Sequence, residues 1–523
     1  MRRLGWGVFW VCLLWGVMTA VLPMRAAPIF APSGRVFYVA PEGSDENEGS
    51  QQRPFRTLQH AVMQLQPGDT LYIREGTYPE QLTLTTSGTP EQVIFIAAYP
   101  GEQPRLDGQN RLPEGKGEFA PLLKITASYV TISGLEVANS TGRGVLIEQA
   151  SHVTLLGLNI HHNWKDGLQV SKADHIVVED SLVWQNIQAR PQAGIIGGSG
   201  FAFVETRDSV ARGNQVYNNF GEGLVAGRRT ENIVLEENVV WDNRHANLYL
   251  LNTRHTVARR NLVYCTDDRT FWRTGTGEAL RAGNGLILQD EVFEIDPDVP
   301  VSNGRIVVNN IVVGCGLNFA IFTQHPQAGV RNALIAYNTF VEARGDDPET
   351  VRAVHIAPGQ HENALFVNNL ILQSTGQVAT GLGAADDAIQ FSHNLYSRDV
   401  PAAFRSPDDV IEDPLLQRPF IPNTRTRLDP AWYSLQTNSP ARDRAKPLSD
   451  VVTDFGGRSR SERPDIGAWE LPEGDTRPQP AGYGGETAVS PTRPPASPVF
   501  LGPIFLIFPI LLLLLLLLRL SRR

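Results

Sequence analysis

The chain has 523 residues, 42% of them hydrophobic and 19% charged, enough apolar side chains to fill a packed interior and too few charges for wholesale disorder. A formal charge of −9 argues against a polyanion-steering, nucleic-acid-binding surface. The 47 glycines and many asparagines suit a fold full of tight turns better than a helical one.

At the N-terminus, Arg2 and Arg3 precede an uncharged run from Leu4 to Leu22, then Pro23 and the small residues Ala26 and Ala27. Basic, apolar, small is the order of a secretory signal peptide, predicted over residues 1–27. An uncleaved anchor is the alternative, because no clean Ala-x-Ala site is present. Cys12 lies inside the apolar run without lipobox-like neighbours and is given no role. Residues 35–125 read as an N-terminal cap with the first coils of the fold. Within them Pro54 to Gln66 has a helical pattern, with Phe55, Leu58, Ala61, Val62 and Leu65 on one face and Pro67-Gly68 as the stop.

From 126 to 400 a motif recurs: apolar, x, Asn or Asp, apolar or small, apolar. It marks Asn159, Asp180, Asn214, Asn238, Asn261, Asn310, Asn338, Asn369 and Asn394. The shorter steps run from 21 to 25 residues, and the 49-residue step from Asn261 to Asn310 is one enlarged coil. Between marks lies a second apolar run, usually opened by Gly, as in Gly167-Leu168-Gln169-Val170 and Gly223-Leu224-Val225-Ala226. A strand this short cannot bury one face alone, but copies stacked about 4.8 Å apart pair their backbones and share a core. Asparagines in register then bond to each other and to the turn backbone. The predicted fold is therefore all-β, a single-stranded right-handed parallel β-helix of roughly ten coils. A leucine-rich horseshoe lacks its leucine lattice here, and propeller blades would need about 40 residues each.

With Leu168 and Val170 pointing inward, the outward column on the Gly-opened strands is Leu146, Gln169, Ala202, Val225, Tyr249 and Ile287, mostly apolar and free of carboxylates. Such a surface is either covered by inserted loops or offers area for a ligand to stack on. Polar candidates fall in the loops before those strands. His161 to Asp166, then Asn218, Asn219 and Glu222, then Asp242 to Asn247 should line one edge. Lys165, Asp166, Glu222 and Arg244 are the candidate catalytic groups, with Arg244 expected near Glu222 or Asp166; Trp164, Asn219, His245 and Tyr249 are the candidate substrate contacts. An ordinary solvated turn is the other reading of Lys165 and Asp166. No metal site is assigned, since adjacent His161 and His162 on an extended segment should point oppositely. No cofactor is expected. Calcium is conceivable at Asp267, Asp268 and Arg269, but turn acids usually face water. Cys265 and Cys315 follow Asn261 and Asn310 on neighbouring rungs, which places them within disulfide range; two stacked free thiols are the alternative.

Toward the C-terminus, residues 401–471 read as a turn-rich cover for the open end of the stack. Residues 472–498 form a Pro-rich stalk, and Val499 to Leu518 is an uncharged stretch of 20 residues, long enough for a transmembrane helix. The basic tail 519–523 would stay cytoplasmic, so the body faces outward. Whether the apolar segment is a permanent anchor or a processing signal stays open.

Phe37-Tyr38-Val39-Ala40-Pro41-Glu42-Gly43, Arg53-Pro54-Phe55-Arg56-Thr57-Leu58 and Pro67-Gly68-Asp69-Thr70-Leu71-Tyr72 resemble the opening of right-handed β-helix proteins related to family-9 pectate lyases. Asn438-Ser439-Pro440-Ala441 with Arg463-Pro464-Asp465-Ile466-Gly467-Ala468-Trp469-Glu470 is similar to the terminal module of anchored surface β-helix proteins. The likeness covers roughly residues 35–470. It implies polysaccharide binding or cleavage, with an Asp cluster holding calcium and a lysine base. The nearest counterpart to the cluster is Asn163-Trp164-Lys165-Asp166-Gly167, and Ala202 stands where the resemblance places the lysine. The leading expectation is an exported, surface-anchored, monomeric protein that binds extracellular or cell-wall polysaccharide. A polysaccharide lyase or glycosidase acting on acidic polysaccharide, with its site around Lys165, Glu222 and Arg244, is the alternative; a purely structural spacer is the third.

Overall fold

In the computed structural model the described residues are 34–472, except 114–118, 189–196, 275–278, 293–300, 325–326, 384–387 and 425–427. The expected signal peptide and transmembrane helix lie outside them. Among the described residues no helix is long and apolar enough to cross a membrane.

The chain winds through three parallel ladders. The first runs from Val36–Val39 through Thr70–Ile73 to Ile389–Ser392, the second from Leu82–Leu84 to Gln377–Thr380, and the third from Thr77–Tyr78 to Val410–Ile411. The third holds 13 strands, more than the expected ten, because its first rungs (Thr77–Tyr78, Arg105–Asp107, Glu136–Ala138) carry no Asn mark. The first two ladders meet in the long strand Glu222–Glu236, whose register slips between Gly227 and Thr230. Period-2 alternation sets what fills the interior. Val145, Leu168, Phe201, Leu224, Leu248, Leu286 and Phe319 are successive partners in the second ladder, each fully buried.

The asparagine file is continuous. Each Nδ2 of Asn214, Asn238, Asn261, Asn310, Asn338 and Asn369 donates to the next Oδ1 at 2.9 to 3.2 Å, and Asn394 ends on Asp409. The residue before each mark sits in the left-handed region, as at Glu237 (φ 57°), Arg260 (φ 53°) and Asn368 (φ 60°). That conformation is unfavourable for a residue with a Cβ, and the ladder bonds that follow it offset the strain. Asn159 departs from the expectation. It lies one residue late, inside the strand Asn159–His161, and its Oδ1 accepts from the Trp184 indole at 2.8 Å. Leu158 and Ser181 hold the first two ladder positions, with Leu158 N donating to Ser181 Oγ and Ser181 N to Asn214 Oδ1.

A second file runs down another corner: Asn163, Asn186, Asn219, Asn243 and Asn247, linked Nδ2 to Oδ1 at 2.9 to 3.0 Å and fully buried. It ends at the disulfide Cys265–Cys315, with Asn247 Nδ2 3.2 Å from the Cys265 sulfur and the two Cα atoms 4.9 Å apart.

The capping helix is shorter than its pattern, Leu58–Met63, because Thr57 caps it and Glu80 accepts from the amides of Leu58 and Gln59. Phe55 instead joins the first strand, donating its amide to Tyr38. The far end is plugged by the turn Ala402–Phe404, which lays Phe404 against Phe391 with centroids 5.4 Å apart. The segment after Val410–Ile411 does not sit over that end. It turns back along the outside of the third ladder. Arg460 stacks over Tyr337 at 3.7 Å, Ala468 N donates to Thr339 Oγ1, and Gly467 N donates to Asn368 O. Ile466 and Ala468 are fully buried there and Trp469 almost so, sealing outward Ile311, Thr339 and Leu370, which a bare flank would expose.

Candidate functional site

The polar edge lies where the chain enters the second ladder. Two residues before the inward Val145, Leu168, Phe201 and Leu224 come Arg143, Asp166, Ser199 and Glu222, one per rung. They form one connected file. Arg143 Nε is 3.0 Å from Asp166 Oδ2, Asp166 Oδ1 accepts from Ser199 N at 2.7 Å, and Ser199 Oγ donates to Glu222 Oε2 at 2.9 Å. Glu222 Oε1 then stands 3.6 Å from His245 Nδ1. The Glu222 side chain is 19% exposed and His245 34%, so this end of the file meets solvent.

Next to it, Tyr249 Oη donates to Glu291 Oε1 at 3.0 Å, and Gln289 Nε2 reaches the same oxygen at 2.7 Å. Burial pushes the Glu291 carboxyl above its ordinary value against the Tyr249 hydrogen bond, and the neighbouring Glu222 charge adds to the rise. Burial also raises the Tyr249 phenol, well above its usual range, which keeps it a neutral donor.

Asp166, Glu222 and His245 thus come together, and Arg143, Ser199, Gln289 and Glu291 join them although the sequence reading passed them over. The usable signal was register: Arg143 and Ser199 precede their inward residues by the same two positions as Asp166 and Glu222. The other candidates go elsewhere. Lys165 is 5% exposed, its ammonium 5.1 Å over the Phe119 ring that also receives Arg143, so it is neither a solvated turn nor a base open to substrate. Arg244, with its amide on Asn219 O, makes no ion pair with Asp166 or Glu222 among the described residues. Asn219 is 0% exposed within the second asparagine file and cannot contact a ligand. Trp164 is half-buried, its amide bound to Ser140 O. Tyr249 is 2% exposed and presents no stacking face.

The outward column of the second ladder is closed as well. Ala202, Val225, Tyr249, Ile287 and Ala320 pack into one buried cluster. Ala202, paired with Gln169 and Val225, has no ionisable neighbour on its column that could serve as a base. Calcium takes six to eight oxygen ligands. Here Asp166 is already neutralised by Arg143 and the adjoining column is apolar, so the residues do not fit such an ion. Asp267 is engaged as acceptor for Thr424 N, and Asp268 caps Thr270.

His161 and His162 also differ from expectation. His162 turns left-handed (φ 54°), and the two Nδ1 atoms meet at 2.8 Å while His161 Nε2 meets Glu136 at 2.8 Å. Burial, reinforced by His161, lowers the His162 imidazole to about 4. His161 opens an outer stack on the third ladder that continues through Trp184, Tyr217, Trp241 and Tyr264. The last three neighbour spacings are 5.9, 4.1 and 5.4 Å with near-parallel planes. Each ring covers its neighbour's face, so the stack shields the sheet and leaves only edges outward.

Residues 37–255 match the family model described as "Pel9A-like, right handed beta helix region". The uncharacterized protein YwoF of Bacillus subtilis (strain 168) is 37% identical over 131 residues, 24% of this chain and 27% of that protein. Pectate lyase PEL9 of Emericella nidulans is 39% identical over 74 residues, 14% of this chain and 18% of that enzyme. The chain thus spans about a quarter or less of the curated relatives it matches. Among solved structures, XylC in complex with xylose superposes with a TM-score of 0.54 at 11% identity, covering 83% of this chain and 98% of that one, a likeness of fold.

Proposed function

We propose, for a chain whose residues 37–255 form a Pel9A-like right-handed β-helix region, that it binds polysaccharide without cleaving it by a lyase mechanism. One observation carries this reading: the column where a lyase base is expected is Ala202 within a buried apolar cluster, and Lys165 is turned under Phe119. β-Elimination needs an unprotonated base within reach of the proton it removes. The Glu222–His245 end of the polar file offers a carboxylate and an imidazole to sugar hydroxyls, with Ser199 behind them, an arrangement suited to orienting a polyol. The polysaccharide relatives support the ligand class. The disulfide, together with the signal-like residues 1–27, supports an exported protein, and the apolar run 499–518 supports a tethered one.

A second reading, hydrolysis, draws on Asp166 and Glu222, which stand two rungs apart with Ser199 between them, a span of about 10 Å that falls near the upper limit for an inverting carboxylate pair. Incubation of the purified protein with pectins, alginates, glucuronans and xylans decides between the readings. Retention of a polysaccharide, with neither unsaturated products by ultraviolet absorbance nor new reducing ends, is the expected result, and Glu222→Gln should reduce that retention. Unsaturated products lost in Lys165→Ala would overturn the binding reading in favour of a lyase. New reducing ends lost in Asp166→Asn would overturn it in favour of a hydrolase.

A further inference from the structure

The first ladder carries a cluster that the polar edge does not use. Tyr129, His152, His175 and Asp208 occupy the same position on four successive rungs, each left-handed (φ 55°, 55°, 53° and 48°). Because the backbone repeats, their side chains project in parallel. Tyr129 stacks on His152 and His152 on His175, both at 4.5 Å, the two imidazoles only 4° from parallel. Both histidines are exposed beside an open groove of about 600 Å³ floored by Thr131, Thr154 and Val177. Asp174 Oδ1 lies 2.8 Å from His175 Nδ1, and one donor atom each from His152, Asp174 and His175 lies within 4.8 Å of the others.

We propose that His152, His175 and Asp174 form a binding site for a divalent transition-metal ion, of the zinc or copper class, with Asp208 at its margin. The two imidazoles and the carboxylate all coordinate directly. Asp174 Oδ1 and His175 Nδ1, 2.8 Å apart, stand at the separation of two donors on one ion with bonds of about 2.0–2.2 Å, so the ion takes the place of the proton between them. His152 supplies the second imidazole one rung below. Two nitrogens on one ion can stand at most about 4.2 Å apart, given bonds of about 2.0–2.1 Å. Parallel stacked rings aim their nitrogens the same way, so the two exposed side chains tilt toward each other to share the ion. Arg207 lies 3.7 Å from the other Asp174 oxygen and is 68% exposed, so the ion replaces it as the carboxylate's partner. Two imidazoles and one carboxylate suit borderline metals better than calcium or magnesium, and copper above zinc in affinity. With three protein donors on an open surface, the remaining coordination positions face the groove and are free for an external oxygen or nitrogen ligand. His161 cannot compete, since both its nitrogens are already engaged.

The test titrates the full-length protein with Cu²⁺ followed by electron paramagnetic resonance, and with Zn²⁺ by calorimetry. One saturable ion per chain with nitrogen hyperfine structure is expected. His152→Phe with His175→Phe keeps the ring stack while removing the donors, and should abolish saturable binding. Asp174→Asn should weaken it by about 10-fold or more, since a direct ligand counts for at least as much as an outer-shell partner. His255→Phe, at another exposed histidine, should leave it unchanged. Absence of saturable binding to the wild-type chain, or undiminished binding by the double variant, would overturn the assignment.

Discussion

Asn310 is the sharpest place to test the asparagine file. Its Oδ1 accepts from Asn261 N at 3.1 Å and from Asn261 Nδ2 at 2.9 Å, and its Nδ2 donates to Asn338 Oδ1 at 3.0 Å and Ala258 O at 2.9 Å. Asn310→Ala removes all four. Asn261 Nδ2 keeps Leu235 O at 2.8 Å, and Asn338 Oδ1 keeps the Asn310 amide at 3.0 Å, but the Asn261 amide loses the acceptor it has at this turn. Every group involved is shut away from water. An orphaned buried amide costs about 1–3 kcal/mol and each of the three further lost bonds about 1 kcal/mol, so the substitution should destabilise by about 4–6 kcal/mol. That is a large share of the roughly 5–15 kcal/mol that holds a typical domain folded. Asn159→Ala serves as the comparison. It removes one partly exposed bond to Trp184, which water can replace, and should cost under about 1 kcal/mol. Guanidinium unfolding followed by far-ultraviolet circular dichroism compares the two variants directly. Equal midpoint shifts for Asn310→Ala and Asn159→Ala would refute the idea that buried side-chain amides hold the coils together.

Three other expectations rest on separate features. Cys265 and Cys315 are 50 residues apart, and loop-closure entropy gives their bond up to about 4 kcal/mol; replacing both by alanine should lower the unfolding midpoint, and alkylation of both thiols in unreduced protein would show that no bond exists. Trp241 is sandwiched between Tyr217 and Tyr264, so Trp241→Ala should cost about 3–5 kcal/mol; unchanged stability would mean the outer stack is ornamental. Burial lowers the imidazoles of both His162 and His355 to about 4, with His161 the next cause at the first and Arg352 at the second. The unfolded chain then binds more protons between an ordinary histidine value of about 6.5 and about 4, so stability falls as the pH drops through that window. His162→Gln with His355→Gln should flatten the dependence, measured as unfolding free energy near pH 7 and pH 5, and an unaltered slope would assign it to other groups.

Much of the architecture could be read from the chain because a stacked coil repeats its physics every turn. Each rung needs an apolar residue on the inner face and a turn residue that satisfies its own amide, so the marks from Asn214 to Asn394 announce both the strands and their order. The neighbouring positions of Cys265 and Cys315 follow from that order alone. Assigning the site was harder. Asn163, Asn219 and Asn243 look like ligand-binding loop residues, but their side chains turn into the wall as a second file. An asparagine in a turn can face either way, and only the neighbouring rungs decide. Asn159 shows the related limit, since a one-residue displacement moves a side chain from the ladder to the outer face.

The amino-acid sequence by itself therefore determined the parallel β-helix, its inward residues and its rung order, because these depend on local periodicity repeated many times. The three-dimensional structure alone decided that Arg143, rather than Arg244, neutralises Asp166, that Lys165 tucks beneath Phe119, and that residues 460–469 seal a flank. Those outcomes depend on which side chains from different coils compete for the same few ångströms of space and charge, and no single repeat contains that information.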